Sequence, residues 1–143
     1  MYLAKDHDRT MKHIGKYGEY RVLARLLAND IEAYPAIKTN QKDYDITAVL
    51  SETKIVRIQV KSTELNNKST NNAIDGIDKD YHYLVVVVVE GEGNASFYVM
   101  TKEEALAERG SSKQLGVTCL HEMKSCVKGS IARHKDQWQK LRA

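Results

Sequence analysis

The chain has 143 residues, of which 42% are hydrophobic and 29% charged, and its net charge is +3. This length and composition predict one domain over 1–143 with a buried core. The longest apolar run, 84–89, is far too short to cross a bilayer, and the first residues are charged where a secretory signal is apolar. We therefore expect a cytoplasmic protein with no membrane partner.

Basic residues are concentrated near the C-terminus. After position 123, lysines and arginines recur while Asp136 is the single acid. A basic segment of this kind suits a polyanion such as nucleic acid, although a solvated helix face has the same composition.

The first strong element is a helix over about 12–28, where good helix formers dominate and apolar residues recur three and four apart. Polar residues and then Pro35 mark its end. Residues at this spacing share one helix face, so Glu19 falls on the same stripe as Val22 and Leu26. The stripe therefore carries a carboxylate among core positions.

Two runs rich in β-branched residues, 43–50 and 54–62, follow and are joined by a short polar stretch. They predict a β-hairpin. In the second run, alternation places Gln59 and Lys61 on one face and the apolar residues between them on the other.

The next segment, 63–81, has the asparagine, serine and glycine content of a loop. The run 81–90 predicts a strand buried on both faces in the middle of a sheet, and 95–100 predicts a further strand. Thr101 and Glu104 fit a capping box that opens a short helix.

The remaining C-terminal part predicts a short strand or helix around 117–123 and a last helix in which Trp138 anchors the core. The element order, one helix, four strands and another helix, predicts an α/β fold with a mixed sheet. Three side chains have ligand chemistry for zinc but lack a fourth partner at suitable spacing: Cys119, His121 and Cys126.

A candidate metal site follows from the hairpin register. If Leu50 pairs with Lys54, Asp45 lies directly opposite Gln59, with Cβ atoms about 5 Å apart. A register shifted by one residue would turn Gln59 to the other face. The first register lets one carboxylate and one amide oxygen share a cation.

The chemistry of these groups suits Mg²⁺, which takes oxygen ligands and keeps several waters when a phosphate supplies further oxygens. Lys61 faces the same way as Gln59 and is placed to orient a water or to neutralise a phosphate oxygen. Glu19 would bring in a further carboxylate from the helix.

In order and spacing, these residues resemble the PD-(D/E)XK nuclease superfamily, in the variant where Gln replaces the last acid. The segments "GKYGEYRVLARLL", "DYDI" and "IQVKST" are most similar to small homing endonucleases and Holliday-junction-resolvase-like proteins. The resemblance covers about 12–63 and the strand at 84–89. Tyr44 stands where the family name has Pro, and Gln59 removes one negative charge from the metal site.

The resemblance implies a restriction-endonuclease-like core, a mixed sheet of about four strands flanked by helices. It also implies metal-dependent hydrolysis of phosphodiester bonds in DNA, of homing, restriction or junction-resolving type. Mg²⁺ would be the cofactor, with Mn²⁺ as a substitute, and the chain would act as a homodimer or higher symmetric homo-oligomer. The alternative is the same fold without turnover, as a DNA-binding or protein-interaction module.

The residues expected to carry this function are the following. The catalytic set is Glu19, Asp45, Gln59 and Lys61. The metal ligands are Asp45, Gln59, the backbone carbonyl of Val60 and Glu19, the last directly or through water. The candidate DNA contacts are Lys16, Ser62, Lys68, Lys128, Arg133 and Lys135.

Overall fold

Over the described residues, one helix is followed by six strands, a second helix, two further strands and two 3₁₀ helices. The computed structural model describes residues 11–36, 43–64, 70–91, 93–119 and 127–142. In chain order the elements are α1 (Ile14–Ala28), β1 (Glu32–Pro35), β2 (Ile46–Ser51), β3 (Lys54–Glu64), β4 (Thr70–Ile74), β5 (Tyr83–Gly91), β6 (Asn94–Thr101), α2 (Lys102–Arg109), β7 (Leu115–Cys119), β8 (Val127–Lys128) and two 3₁₀ helices (Ser130–His134 and Trp138–Arg142). No helix within the described ranges has the length and apolar character needed to span a membrane.

The main sheet has five strands in the order β1-β2-β3-β5-β6. Strands β3 and β5 run parallel and the other neighbours run antiparallel. A second sheet of three strands has the order β4-β7-β8. The expected α/β fold with a mixed sheet flanked by helices is confirmed, with one more strand in the main sheet than expected.

Strand β5 separates two hydrophobic cores. Each residue from 84 to 89 is at most 3% exposed, so the prediction of a strand buried on both faces is confirmed. Its odd-numbered valines pack with α1 on one face, and its even-numbered residues pack with α2 and the second sheet on the other. Trp138 lies in the first core, 5.9 Å from Phe97 between ring centroids, and anchors the last helix as expected.

The β2–β3 hairpin has the predicted register over most of its length. Ile46 pairs with Ile58, and the ladder continues to Val49 and Ile55. Near the turn a register shift intervenes, so Lys54 pairs with Ser51 and the assumed pairing with Leu50 is wrong. The irregularity offsets the pairing by one residue on the turn side only, and the ladder from Ile46 to Val49 keeps the predicted register. The register that matters for Asp45 and Gln59 is therefore preserved.

Helix α1 approaches β3 closely at Gly18. A Cβ added there would collide with the hydroxyl of Ser62 on β3. Glycine inside a helix costs about 1 kcal/mol relative to alanine, and here it permits a helix-to-strand contact that no other residue allows. The contact holds the first half of α1 against the last residues of β3.

Helix α2 begins with the predicted capping box. The Thr101 hydroxyl accepts from the Glu104 backbone N–H at 3.1 Å, and the Glu104 carboxylate accepts from the Thr101 N–H at 2.9 Å. The helix ends at Gly110, whose φ of 64° lies in the left-handed region that glycine tolerates.

Candidate functional site

The candidate site lies at the end of β3 that follows Ile58, the partner of the first residue of β2. The carbonyl of Ile58 accepts from the Asp45 N–H at 2.9 Å, just before β2 begins. Backbone groups of residues two apart point to the same side of a strand, so the N–H and carbonyl of Val60 also face the β2 side. No residue of β2 pairs with Val60. The strand end therefore offers a backbone donor and a backbone acceptor that have no partner in β2.

The Asp45 side chain occupies this position. Its Oδ2 accepts from the Gln59 amide Nε2 at 2.8 Å and from the Val60 N–H at 2.8 Å. Gln59 is only 7% exposed. The structure thus brings Asp45, Gln59 and the Val60 backbone together, as the hairpin register predicts.

The groups at this strand end could supply oxygens to a hard divalent cation. Gln59 Nε2 lies between Asp45 Oδ2, at 2.8 Å, and the Val60 carbonyl oxygen, at 3.4 Å. The amide nitrogen therefore bridges two acceptors as a cation would, and half a turn of the amide would present its oxygen instead. One carboxylate, one amide oxygen and one carbonyl suit Mg²⁺, which also retains waters. Within the described ranges no group of three His, Cys, Asp or Glu side chains is placed to hold a metal.

Burial and several nearby charges shift the pKa of the Asp45 carboxyl. Burial raises the pKa of the Asp45 carboxyl, the Val60 N–H lowers it, and the charge of Glu19 raises it again. The charges of Lys61 and Lys16 lower the pKa, but the net shift is upward from the ordinary 3.8. A bound cation would offset this cost because it favours the ionised carboxylate.

Glu19 lies on α1, near enough for its charge to act on Asp45, and is paired with a lysine of its own helix. The Lys16 ammonium lies 3.1 Å from the Glu19 carboxylate, whose side chain is 25% exposed. The charge of Glu19 nevertheless acts on Asp45. Because of this position, Glu19 is suited to contact a cation through water.

The half-buried Lys61 extends from the same face of β3 toward the segment after β4. A Cβ added to Gly76 would lie 3.3 Å from Lys61 Nζ, so glycine leaves room for the ammonium. In the part of the chain that the structure describes, no carboxylate forms an ion pair with Lys61. Its charge is available to a phosphate or a water.

The expected DNA contacts are dispersed. Lys16 is 60% exposed beside the site. Arg133 and Lys135 lie near β6, at the opposite edge of the sheet from β1. The Ser62 hydroxyl is buried beneath α1. It does not face solvent, contrary to the expectation for a DNA contact. Lys68, the Lys128 side chain and the zinc candidates Cys119, His121 and Cys126 fall outside the described residues and side chains.

Sequence reasoning missed two glycines that shape the site. Gly18 lets α1 pack against β3, and Gly76 makes room for the Lys61 ammonium. A glycine inside a helical pattern is a recognisable signal of close packing, because its cost in a helix needs compensation. Gly76 was not recognisable, since it lies in a segment that has the composition of a loop.

The fold is similar to that of a protein whose structure is known. A solved structure described as the bacterial homing endonuclease I-Ssp6803I is similar to this chain, with a TM-score of 0.68 and 19% sequence identity. The similarity covers 93% of this chain and 91% of that one. No protein-family model matches the chain, and no curated protein matches it. The chain therefore shares the fold of a homing endonuclease over nearly its whole length.

Proposed function

We propose that the protein is a metal-dependent DNA endonuclease of the PD-(D/E)XK type with Gln in place of the last acid. The observation that carries this proposal is the convergence of the Asp45 carboxylate, the Gln59 amide and the Val60 carbonyl at one strand end. Lys61, which pairs with no carboxylate among the described residues, adds beside them the positive charge that phosphodiester cleavage requires. The fold shared with a homing endonuclease supports the same reading.

Each residue has a role that its position supports. Asp45, Gln59 and the Val60 carbonyl would hold Mg²⁺ or Mn²⁺, and Glu19 would reach the cation through water. A divalent cation supplies Lewis acidity toward a phosphate oxygen and toward water. Lys61 would orient the attacking water and neutralise charge on the phosphate.

DNA is the proposed substrate, and a symmetric assembly is the proposed working form. Cleavage of both strands of a duplex needs two sites, so a homodimer or higher homo-oligomer follows from the chemistry. In an inactive module of the same fold, Asp45 and Gln59 would be free to diverge. Their direct 2.8 Å contact favours the enzymatic proposal over that alternative.

Substitution of Lys61 by alanine is expected to reduce cleavage by roughly 10²–10⁴-fold, because the reaction loses its positioned ammonium. The measurement is nicking of supercoiled plasmid and of branched DNA with Mg²⁺, comparing wild type with Lys61→Ala. Lys113→Ala, at an exposed lysine after α2, is the control and should cut like wild type. A wild type as inert as Lys61→Ala on both substrates would contradict the proposed function.

A further inference from the structure

Arg57 extends from the same face of β3 as Gln59, two residues earlier and about 7 Å away along the strand. Its side chain is 37% exposed. Tyr44, the chain neighbour of Asp45, lies under the guanidinium, with 5.9 Å between Arg57 Cζ and the ring centroid. Arg57 is therefore a partly exposed cation on the same sheet face as Gln59, next to the Asp45–Gln59 site.

Two contacts hold the guanidinium in place. Nη2 of Arg57 donates to Asp80 Oδ1 at 2.9 Å, and the Tyr44 ring lies within cation–π range. Asp80 is 75% exposed, so the ion pair adds little to the free energy of folding. Its main effect is to orient the guanidinium.

The donors of Arg57 are only partly used. Nε is buried without a hydrogen-bond partner, whereas Nη1 is not among the buried unpaired atoms and bonds to no described residue. A buried donor without an acceptor costs about 1–3 kcal/mol. A guanidinium presents several donors in a fixed fork that matches phosphate oxygens. Of these donors, Nη1 is the one that an anionic ligand beside the site could reach.

His82 adds a polar neighbour but no positive charge. Its Nδ1 accepts from the Arg57 backbone N–H at 2.8 Å, so the neutral ring carries its proton on Nε2. Burial and the charge of Arg57 lower the pKa of His82, although Asp80 opposes them. The neutral ring leaves Arg57 as the charged group of this pair.

We propose that Arg57 binds the DNA phosphate next to the scissile one and so positions the strand over the Asp45–Gln59 site. This inference rests on the proposed function, because it assigns Arg57 to the same substrate. A phosphate contact carries no sequence information, so it should form with any duplex. Arg57 would therefore act on substrate affinity more than on the chemical step.

The test compares wild type with Arg57→Gln in binding a fluorescein-labelled mixed-sequence duplex over a range of salt concentrations. Loss of one phosphate contact should weaken binding about 5- to 10-fold and lower the slope of log K against log salt by about 1. With plasmid substrate and Mg²⁺, KM should rise while kcat stays within about 2-fold. Arg57→Lys keeps the charge and should retain the salt slope.

Lys113→Gln is the control, since Lys113 is an exposed lysine after α2 with no assigned role in DNA binding. It should leave the salt slope unchanged. The inference is overturned if Arg57→Gln folds normally but alters neither slope nor KM, or if Lys113→Gln lowers the slope equally. A wild type that binds but does not cut would overturn the nuclease function alone, while the salt slope would still decide the role of Arg57.

Discussion

Substitution of Asp45 by asparagine is expected to abolish cleavage and, at the same time, to stabilise the metal-free protein. Cleavage should fall by 10²–10³-fold or more, an order-of-magnitude estimate for loss of the central charged group of a site. The stability gain follows from the raised pKa of the Asp45 carboxyl, caused first by burial and then by the nearby Glu19 charge. Asparagine removes the ionised group but keeps an oxygen that can accept from Gln59 and Val60.

Thermal unfolding without metal measures the second half of this prediction. The variant should gain roughly 0.5–2 kcal/mol at neutral pH, as is common when a functional residue is neutralised. Asp43→Asn is the control, because Asp43 lies in the same segment and its φ of 76° is one that asparagine tolerates. It should leave stability and cleavage close to wild type. A metal-free Asp45→Asn variant less stable than wild type would contradict the electrostatic reading of the site.

The second large effect is expected at Glu108, whose replacement by alanine should destabilise the protein by about 3 kcal/mol. The Glu108 side chain is 5% exposed and accepts from Ser130, from Arg133 at 2.9 Å and from His134 at 2.9 Å. His134 is itself buried, so its ring nitrogen would lose a partner that water cannot easily replace. The cluster holds the first C-terminal 3₁₀ helix, Ser130–His134, against α2.

Urea unfolding measures the Glu108 effect, with Glu103→Ala as the control on the same helix. Glu103 is exposed, so its loss should cost less than about 0.5 kcal/mol. Equal losses for the two variants would show that the buried cluster does not stabilise the fold.

The two carboxyls also imply opposite pH dependences. Burial alone would raise the pKa of Glu108, but the Ser130 and His134 hydrogen bonds and the Arg133 charge bring it below the ordinary 4.5. Its stabilising contribution is therefore complete above 4.5 and lost as pH falls through the lowered pKa. The pKa of Asp45 is raised above 3.8, so its ionisation reduces stability as pH rises through that interval.

Much of the site could be predicted because strand alternation and hairpin register are local properties. The apolar and polar residues of β3 fix which face Gln59 and Lys61 share, and the ladder from Ile46 to Val49 then brings Asp45 beside Gln59. The capping box at Thr101 and the buried strand β5 could also be recognised from the sequence. Each depends on a pattern contained within a few residues.

The features that sequence did not reveal depend on contacts between distant segments. Strand β1 has four residues and ends in Pro35, so only pairing with β2 defines it. Strand β4 lies in an asparagine-rich segment and forms because β7 pairs with it. In the sequence alone, Arg57 cannot be distinguished from an ordinary exposed strand residue. Its guanidinium contacts Tyr44 and Asp80 only because the fold brings these residues together. Tertiary context, rather than local propensity, decides these elements.

The most direct test of the metal site is a crystal structure of the wild-type protein soaked in Mn²⁺, with anomalous difference maps. We expect a peak in contact with the Asp45 carboxylate, the Val60 carbonyl and the Gln59 amide, the last now turned to present its oxygen. A map with no peak there, and with Gln59 Nε2 still donating to Asp45, would contradict the central claim that these groups form a divalent-cation site.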